Sequence, residues 1–287
     1  MSVILITGCS SGIGLESAVA FVRQGDTTIA TMRDTTRGER LRARCDQEGL
    51  KAEIRSLDVT DQMSVSEVVD AVLQTHGAID IIVNNAGVGT SGPVEDQSLE
   101  IARRVMETNL LGPVRVIQAV LPSMRARRSG VIVNVSSVAG LLPTTMFQSL
   151  HTASKRALNA VSEALFAEVL PFGIRVVSIA PGFFRTEIFV KRLSSGEPPA
   201  DVYAADQEWI RSFYEKSIGG GASPELVADA IVSAATDPNT RLHTPVGEDA
   251  AMYLELLARV DGYEGWLEAV GSMAESLVGP RPSSPRT

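Results

Sequence analysis

The strongest constraint on this chain is its alternation of short apolar, β-branched runs with longer segments of helical period. Residues 3–6, 27–32, 52–57, 79–83, 131–135 and 175–179, with a weaker run at 241–246, read as seven strands. Predominantly apolar runs such as 79–83 imply strands covered on both faces, as in a parallel sheet. Between them, residues 13–24, 60–75, 98–128, 152–169 and 224–236 carry helical spacing. Gly25 follows the first helix as a C′ glycine, and Thr60 or Asp61 is placed to cap the second. Strand–helix alternation of this kind predicts an α/β fold with right-handed crossovers: a doubly wound parallel sheet of about seven strands in a single domain.

Composition narrows the function. The 287 residues suffice for a substantial core, and 34 Asp+Glu against 26 Lys+Arg leave a net charge of −8. That balance argues against a nucleic-acid partner, which favours a basic face. Two cysteines, Cys9 and Cys45, are too few for a disulfide framework and fit a reducing compartment. The three histidines, His76, His151 and His243, are too widely spaced to read as a metal cluster. The first residues lack a basic region and a long apolar core, and no window approaches the ~20 apolar residues of a membrane span. The expectation is a cytoplasmic chain without a membrane span. Two segments break the pattern. Residues 194–223 mix Gly, Pro and Ser with Trp209, Phe213 and Tyr214, and the Pro/Ser/Arg stretch 279–287 reads as a disordered tail.

The first strand runs straight into Thr7-Gly8-Cys9-Ser10-Ser11-Gly12-Ile13-Gly14 and then a helix. Glycines at 8, 12 and 14 let the backbone turn tightly and approach a ligand, while the helix start offers unpaired N–H groups to a pyrophosphate. The spacing is GxxxGxG, not GxGxxG. A purely structural turn is the alternative, disfavoured by three glycines at such a junction.

This loop resembles the TGxxxGxG loop of the short-chain dehydrogenases/reductases. The resemblance continues in order through Asp58-Val59, Asn84-Asn85-Ala86-Gly87, Asn109, Asn134-Val135-Ser136-Ser137, Ala153-Ser154-Lys155 and Pro181-Gly182, across roughly residues 1–250. The loop, Ala30-Thr31-Met32-Arg33-Asp34 and Thr244-Pro245-Val246-Gly247 are most similar to the steroid- and retinol-dehydrogenase branch. The family implies a Rossmann-type sheet with a nicotinamide nucleotide across its C-terminal edge, where open α/β sheets bind ligands. The cofactor contacts carried over are Gly8, Ser10, Ser11, Gly12, Ile13, Gly14, Arg33, Asp58, Val59, Asn85, Ala86, Gly87, Lys155, Pro181, Gly182 and Thr186. Asn85-Ala86-Gly87 reads as the more structural part of this set. Met32 stands where NAD-selective relatives often carry Asp, and Arg33 follows it. Arginine meets a 2′-phosphate with paired charge-assisted hydrogen bonds, so the expected cofactor is NADP(H). Against this, Asp34 could pair with Arg33 at the surface.

The family's chemistry is hydride transfer matched by proton transfer at oxygen. A serine holds the carbonyl, a tyrosine moves the proton, a lysine lowers the tyrosine pKa and an asparagine backs a water relay. Asn109, Ser137 and Lys155 match, but the tyrosine position is His151: the motif is HxxxK. The loop 138–150 reads one residue longer than usual, with Ser136 as the alternative serine. Histidine falls roughly two ångströms short of a phenol's reach. A neighbouring Lys⁺ keeps it neutral, a capable base but a poor donor. The readings are therefore an NADP(H)-dependent oxidoreductase on an apolar alcohol or ketone, a catalytically silent or redox-neutral relative, or an engineered Tyr→His change. Lid residues 183–223, with Phe183, Phe184, Phe189, Trp209, Phe213 and Tyr214, either line an apolar cavity or bury one another, with Gly219–Gly221 as a hinge. Residues 251–278 read as a helical extension. The long helices resemble those of family homodimers and homotetramers.

Overall fold

The computed structural model describes residues 1–188 and 201–282. Its sheet contains β1 (Val3–Thr7), β2 (Thr27–Met32), β3 (Glu53–Ser56), β4 (Ile81–Asn84), β5 (Gly130–Val135), β6 (Ile174–Pro181) and β7 (His243–Val246). All are parallel, in the spatial order β3-β2-β1-β4-β5-β6-β7. Alternation along β1 shows why. Ile4 and Ile6 enter one core, Leu5 the other, and all three are fully buried. Burying each such side chain stabilises by roughly 1.5–3 kcal/mol. This favours a sheet covered on both sides.

One face is covered by α1 (Gly12–Arg23), α2 (Glu39–Gln47) and α8 (Pro224–Thr236), the other by α3 (Gln62–His76), α5 (Gly112–Arg127) and α6 (Ser149–Val169). Asp61 caps α3, its carboxylate accepting from Met63 N at 2.8 Å. Gly25 adopts φ +82° past the end of α1. α2 was not anticipated, because only Leu41 and Cys45 of its residues are buried. The single helix expected over 98–128 is interrupted. It forms α4 (Leu99–Met106), a wide π turn at Glu107–Leu111, and α5. π turns inside helices often mark functional positions, and this one carries Asn109.

Beyond β6 come α7 (Asp201–Gly219), α9 (Glu248–Leu257) and α10 (Gly262–Val278). Trp266 of α10 is buried with Tyr253 of α9 against Val138 and Leu142, so the extension braces the loop that precedes α6. The tail expectation needs correction at its start. Trp209 Nε1 donates to the Gly279 carbonyl at 2.9 Å, and Arg281 pairs with the buried Asp206 carboxylate at 2.8 Å. Residues 283–287, and Phe189 of the expected lid, lie outside the described residues.

The chain leaves β1 toward β2 on one side and returns to β4 on the other, so the loops after β1 and β4 diverge and open a crevice. Gly14 lies beneath it. A Cβ there would sit 2.3 Å from Asn85 Nδ2 and 2.5 Å from the Gly8 carbonyl oxygen. Gly14→Ala is expected to lose roughly 1–3 kcal/mol of stability through this overlap. An unchanged denaturant midpoint would contradict it.

Candidate active site

Two hydrogen-bonding side chains hold the crevice at its base. The Thr7 hydroxyl accepts from the backbone N–H groups of Asn85 and Ala86, both at 3.0 Å. Asn85 Nδ2 returns bonds to the carbonyls of Thr7 (2.9 Å) and Gly8 (3.2 Å). This brings Ala86 so close that a Cβ on Gly8 would lie 2.8 Å from Ala86 Cα, and Gly8 also needs φ +77°. Above it the first turn of α1 carries no acidic residue and no side-chain cap, leaving its N-terminal dipole facing the cleft.

The cleft has a volume of about 640 Å³. Gly8, Ser10, Ser11, Gly12, Ile13, Arg33, Asp58, Val59, Asn85, Ala86, Gly87, Ser137, His151, Lys155, Pro181, Gly182 and Thr186 all border it. Gly14 and Asn109 do not. Gly14 serves the packing just described. Asn109 is buried behind the wall, accepting from Val88 N at 2.8 Å and donating to the Val88 carbonyl and Ser154 Oγ, each at 3.0 Å. It fixes the β4 exit against α6.

At the β2 end, Asp34 does not neutralise Arg33. Its carboxylate accepts from Thr36 N (3.0 Å) and Thr36 Oγ1 (2.6 Å), bonds that lower its pKa. Arg33 has no carboxylate partner among the described residues. Arg37, missed in the sequence, borders the same end and adds a second arginine there, beside the Asp34 carboxylate. Its signal was present: the two arginines lie four positions apart across one tight turn. Arg104 of α4 also reaches the wall. Asp58 accepts from Thr60 N and Oγ1 at 2.9 and 2.8 Å, shaping the turn after β3.

At the other end stand Ser137, His151 and Lys155. The buried Ser136 donates to the Lys155 carbonyl at 3.3 Å, whereas the Ser137 oxygen accepts from Ala139 N at 3.2 Å and keeps its proton for a ligand. Lys155 Nζ donates to the Val135 carbonyl at 2.8 Å; burial lowers its pKa from 10.5 to about 8. His151 is only 7% exposed, and its Nδ1 is buried without a hydrogen-bond partner. Burial first, then the Lys155 charge, push its pKa from 6.5 down to about 3. Phe183 and Phe184 border the cleft, but Trp209, Phe213 and Tyr214 do not. They pack instead with Met146, Phe147 and Ala274, so part of the expected lining is lid core.

These residues fit a nicotinamide dinucleotide: a glycine cradle open to a helix N-terminus, arginines in no salt bridge among the described residues at one end, and a buried imidazole with an unsatisfied Nδ1 at the other. Fold and cleft define a nucleotide-dependent oxidoreductase. The chain belongs to the short chain dehydrogenase family, whose profile matches residues 2–196. It is 36% identical over 257 residues to human retinol dehydrogenase 8, covering 85% of this chain and 81% of that one. A short-chain dehydrogenase from Streptomyces avermitilis superposes with TM-score 0.76 at 34% identity, covering 96% of this chain and 95% of that one. A metagenomic short-chain oxidoreductase in complex with NADP matches with TM-score 0.67 at 26% identity, covering 85% and 95%. An NAD⁺-bound xylitol dehydrogenase matches with TM-score 0.72 at 26% identity, covering 86% and 98%.

The depressed His151 pKa has a stability consequence. Above about pH 6.5 the ring is neutral in both folded and unfolded states. As pH falls toward 3, the unfolded chain takes up a proton that the buried ring refuses, so stability falls progressively. Denaturant midpoints at pH 7.5 and 5 are expected to differ more for wild type than for His151→Phe. Equal differences would show that the ring protonates freely.

Proposed function

We propose that this protein is an NADP(H)-dependent oxidoreductase interconverting an alcohol and a carbonyl on an apolar substrate, with His151 in the place of the usual tyrosine. The observation that carries the reading is the pairing of ends in one cleft: Arg33 and Arg37, neither in a salt bridge among the described residues, at one, and Ser137, His151 and Lys155 at the other. When bound, the nicotinamide supplies or accepts the hydride. Ser137 donates a hydrogen bond from its hydroxyl to the substrate oxygen and keeps the proton. His151, neutral at physiological pH and, with a pKa of about 3, a weak base, serves that oxygen as a hydrogen-bonding group, while the net proton of either direction is exchanged with Lys155. Lys155, with a pKa of about 8, is the group that titrates near working pH and sets the charge felt by His151. Phe183 and Phe184 supply apolar wall for the substrate. Asn109 supports the lysine-bearing helix from behind.

The reading extends to a cytoplasmic homodimer or homotetramer. The free, buried Cys9 and Cys45 fit the first, and the partly exposed Phe166 and exposed Leu170 at the end of α6 offer contact for the second. The competing reading, a catalytically silent or redox-neutral relative, draws on His151 itself, whose low pKa makes imidazolium scarce as a donor.

The two readings separate on NADPH oxidation across a carbonyl panel. His151→Phe is expected to lose at least tenfold in kcat/KM; equal activity would remove His151 from the mechanism. Activity confined to His151→Tyr would establish the silent reading. In the wild type, reduction is expected to fall and oxidation to rise as pH passes about 8, where Lys155 loses its proton. An inflection near 6.5 that vanishes in His151→Phe would overturn this assignment. For the cofactor, Arg33→Ala is expected to weaken NADPH binding about tenfold or more and leave NADH almost unchanged, since charge-assisted hydrogen bonds contribute about 1.5–3 kcal/mol. Titration by NADPH fluorescence measures it, and an unchanged NADPH affinity would refute the choice of NADP(H).

A further inference from the structure

The turn leaving β6 roofs part of the cleft, with Pro181, Gly182, Phe183 and Thr186 all on its wall. Sheet pairing ends at Pro181, opposite Val246. Gly182 N still reaches the Val246 carbonyl at 3.0 Å, but the next N–H, that of Phe183, has no strand to meet. It donates instead to a carboxylate, Asp249 Oδ2, at 2.5 Å. Asp249 lies in the first turn of α9, where the helix dipole favours an anion.

The surroundings are shaped for that carboxylate. A Cβ on Gly182 would fall 2.2 Å from Oδ2, and one on Gly247, at φ +107°, 2.5 Å from Oδ1. Two glycines from different segments therefore leave room for one side chain. Its neighbour Phe183 is ordered in turn by edge contacts with Phe213, Tyr214 and Tyr253. Thr186 then comes to rest against the phosphate loop, 3.5 Å from where a Gly12 Cβ would be. The chain from Asp249 to Phe183 to Thr186 thus connects α9, beyond the 2–196 segment that matches the family profile, to the roof over the phosphate loop.

We propose that Asp249 is a positioning residue for cofactor binding: through Phe183 N it holds the 181–186 turn against the nicotinamide half of the dinucleotide. The proposal rests on the NADP(H) reading above. It distinguishes the two halves of the ligand, since the adenine half is held by β1, β2 and their loops, which Asp249 does not touch.

The test compares NADPH with adenosine 2′,5′-bisphosphate, which carries the adenine half alone, by titration of the full chain. Asp249→Ala is expected to weaken NADPH about tenfold and to leave the bisphosphate within twofold. Asp249→Asn, which retains an oxygen for Phe183 N, is expected to recover most of the loss. NADPH affinity that is unchanged in Asp249→Ala, or that falls in parallel with the bisphosphate, overturns the proposal. A wild-type protein that binds neither ligand removes the NADP(H) reading and this proposal with it. A wild type that binds both, beside an Asp249→Ala that weakens both equally, refutes the positioning role alone.

Discussion

Everything at the carboxyl edge of the sheet depends on how closely β1 and β4 are held where they part. Thr7 and Asn85 make that junction with side-chain bonds to each other's backbone, at 2.9 to 3.2 Å. The close approach then dictates glycine at 8 and 14, where any Cβ meets backbone or the Asn85 amide. A second polar chain lies deeper: Asn84 donates to Asn134, and Asn134 to Ser162, both at 2.8 Å, linking β4, β5 and α6. Each such bond contributes little net stability, but a buried partner left unmade costs about 1–3 kcal/mol. The network therefore specifies the rotation of α6 more than it strengthens the fold. That rotation presents His151 and Lys155 to the cleft.

Much of this was legible in the sequence because it rests on local rules. Seven strands follow from β-branched runs, and the phosphate loop follows from glycine spacing between a strand and a helix. What escaped depends on tertiary context. Helix α2 buries just two apolar side chains, Leu41 and Cys45, so its charged sequence carries almost no periodic signal. The π turn at Glu107–Leu111 has no pattern of its own; it places Asn109 to bond both backbone groups of Val88, a partner 21 residues away. Arg281 looked like part of a loose tail, since nothing local shows that Asp206 is buried 75 residues earlier and needs a cation.

The charged residues after β2 show the same limit in a functional setting. Sequence adjacency alone makes Asp34 the natural partner of Arg33, which would blunt any case for a phosphate-binding arginine. The backbone resolves this, because Asp34 caps the turn at Thr35–Gly38 and its carboxylate is committed to Thr36. The same turn carries Arg37 back to the cleft. One capping bond thus commits the Asp34 carboxylate, itself on the cleft wall, to Thr36 and not to Arg33, and the same turn brings a second cation to the cleft. Of the cleft's properties, this one has the most direct bearing on which nucleotide it accepts.

The HxxxK pair obeys a different economy from tyrosine and lysine. A phenol near a buried ammonium has its pKa lowered toward neutrality, so the lysine makes it a better acid. An imidazole begins near 6.5, and the same ammonium together with burial carries it well away from neutrality, to about 3. Among the described residues Lys155 has no carboxylate partner; its contact is a backbone carbonyl, and its own pKa comes down to about 8. On the proposed reading the titrating function therefore lies at position 155 of α6 and not at position 151. His151 is left as a neutral ring whose unpaired Nδ1 must find a partner in whatever enters the cleft. A buried polar atom without a partner is costly, so ligand binding there gains from satisfying it. On this argument the histidine ties the site to substrate contact at position 151, while its dependence on solvent pH passes to Lys155.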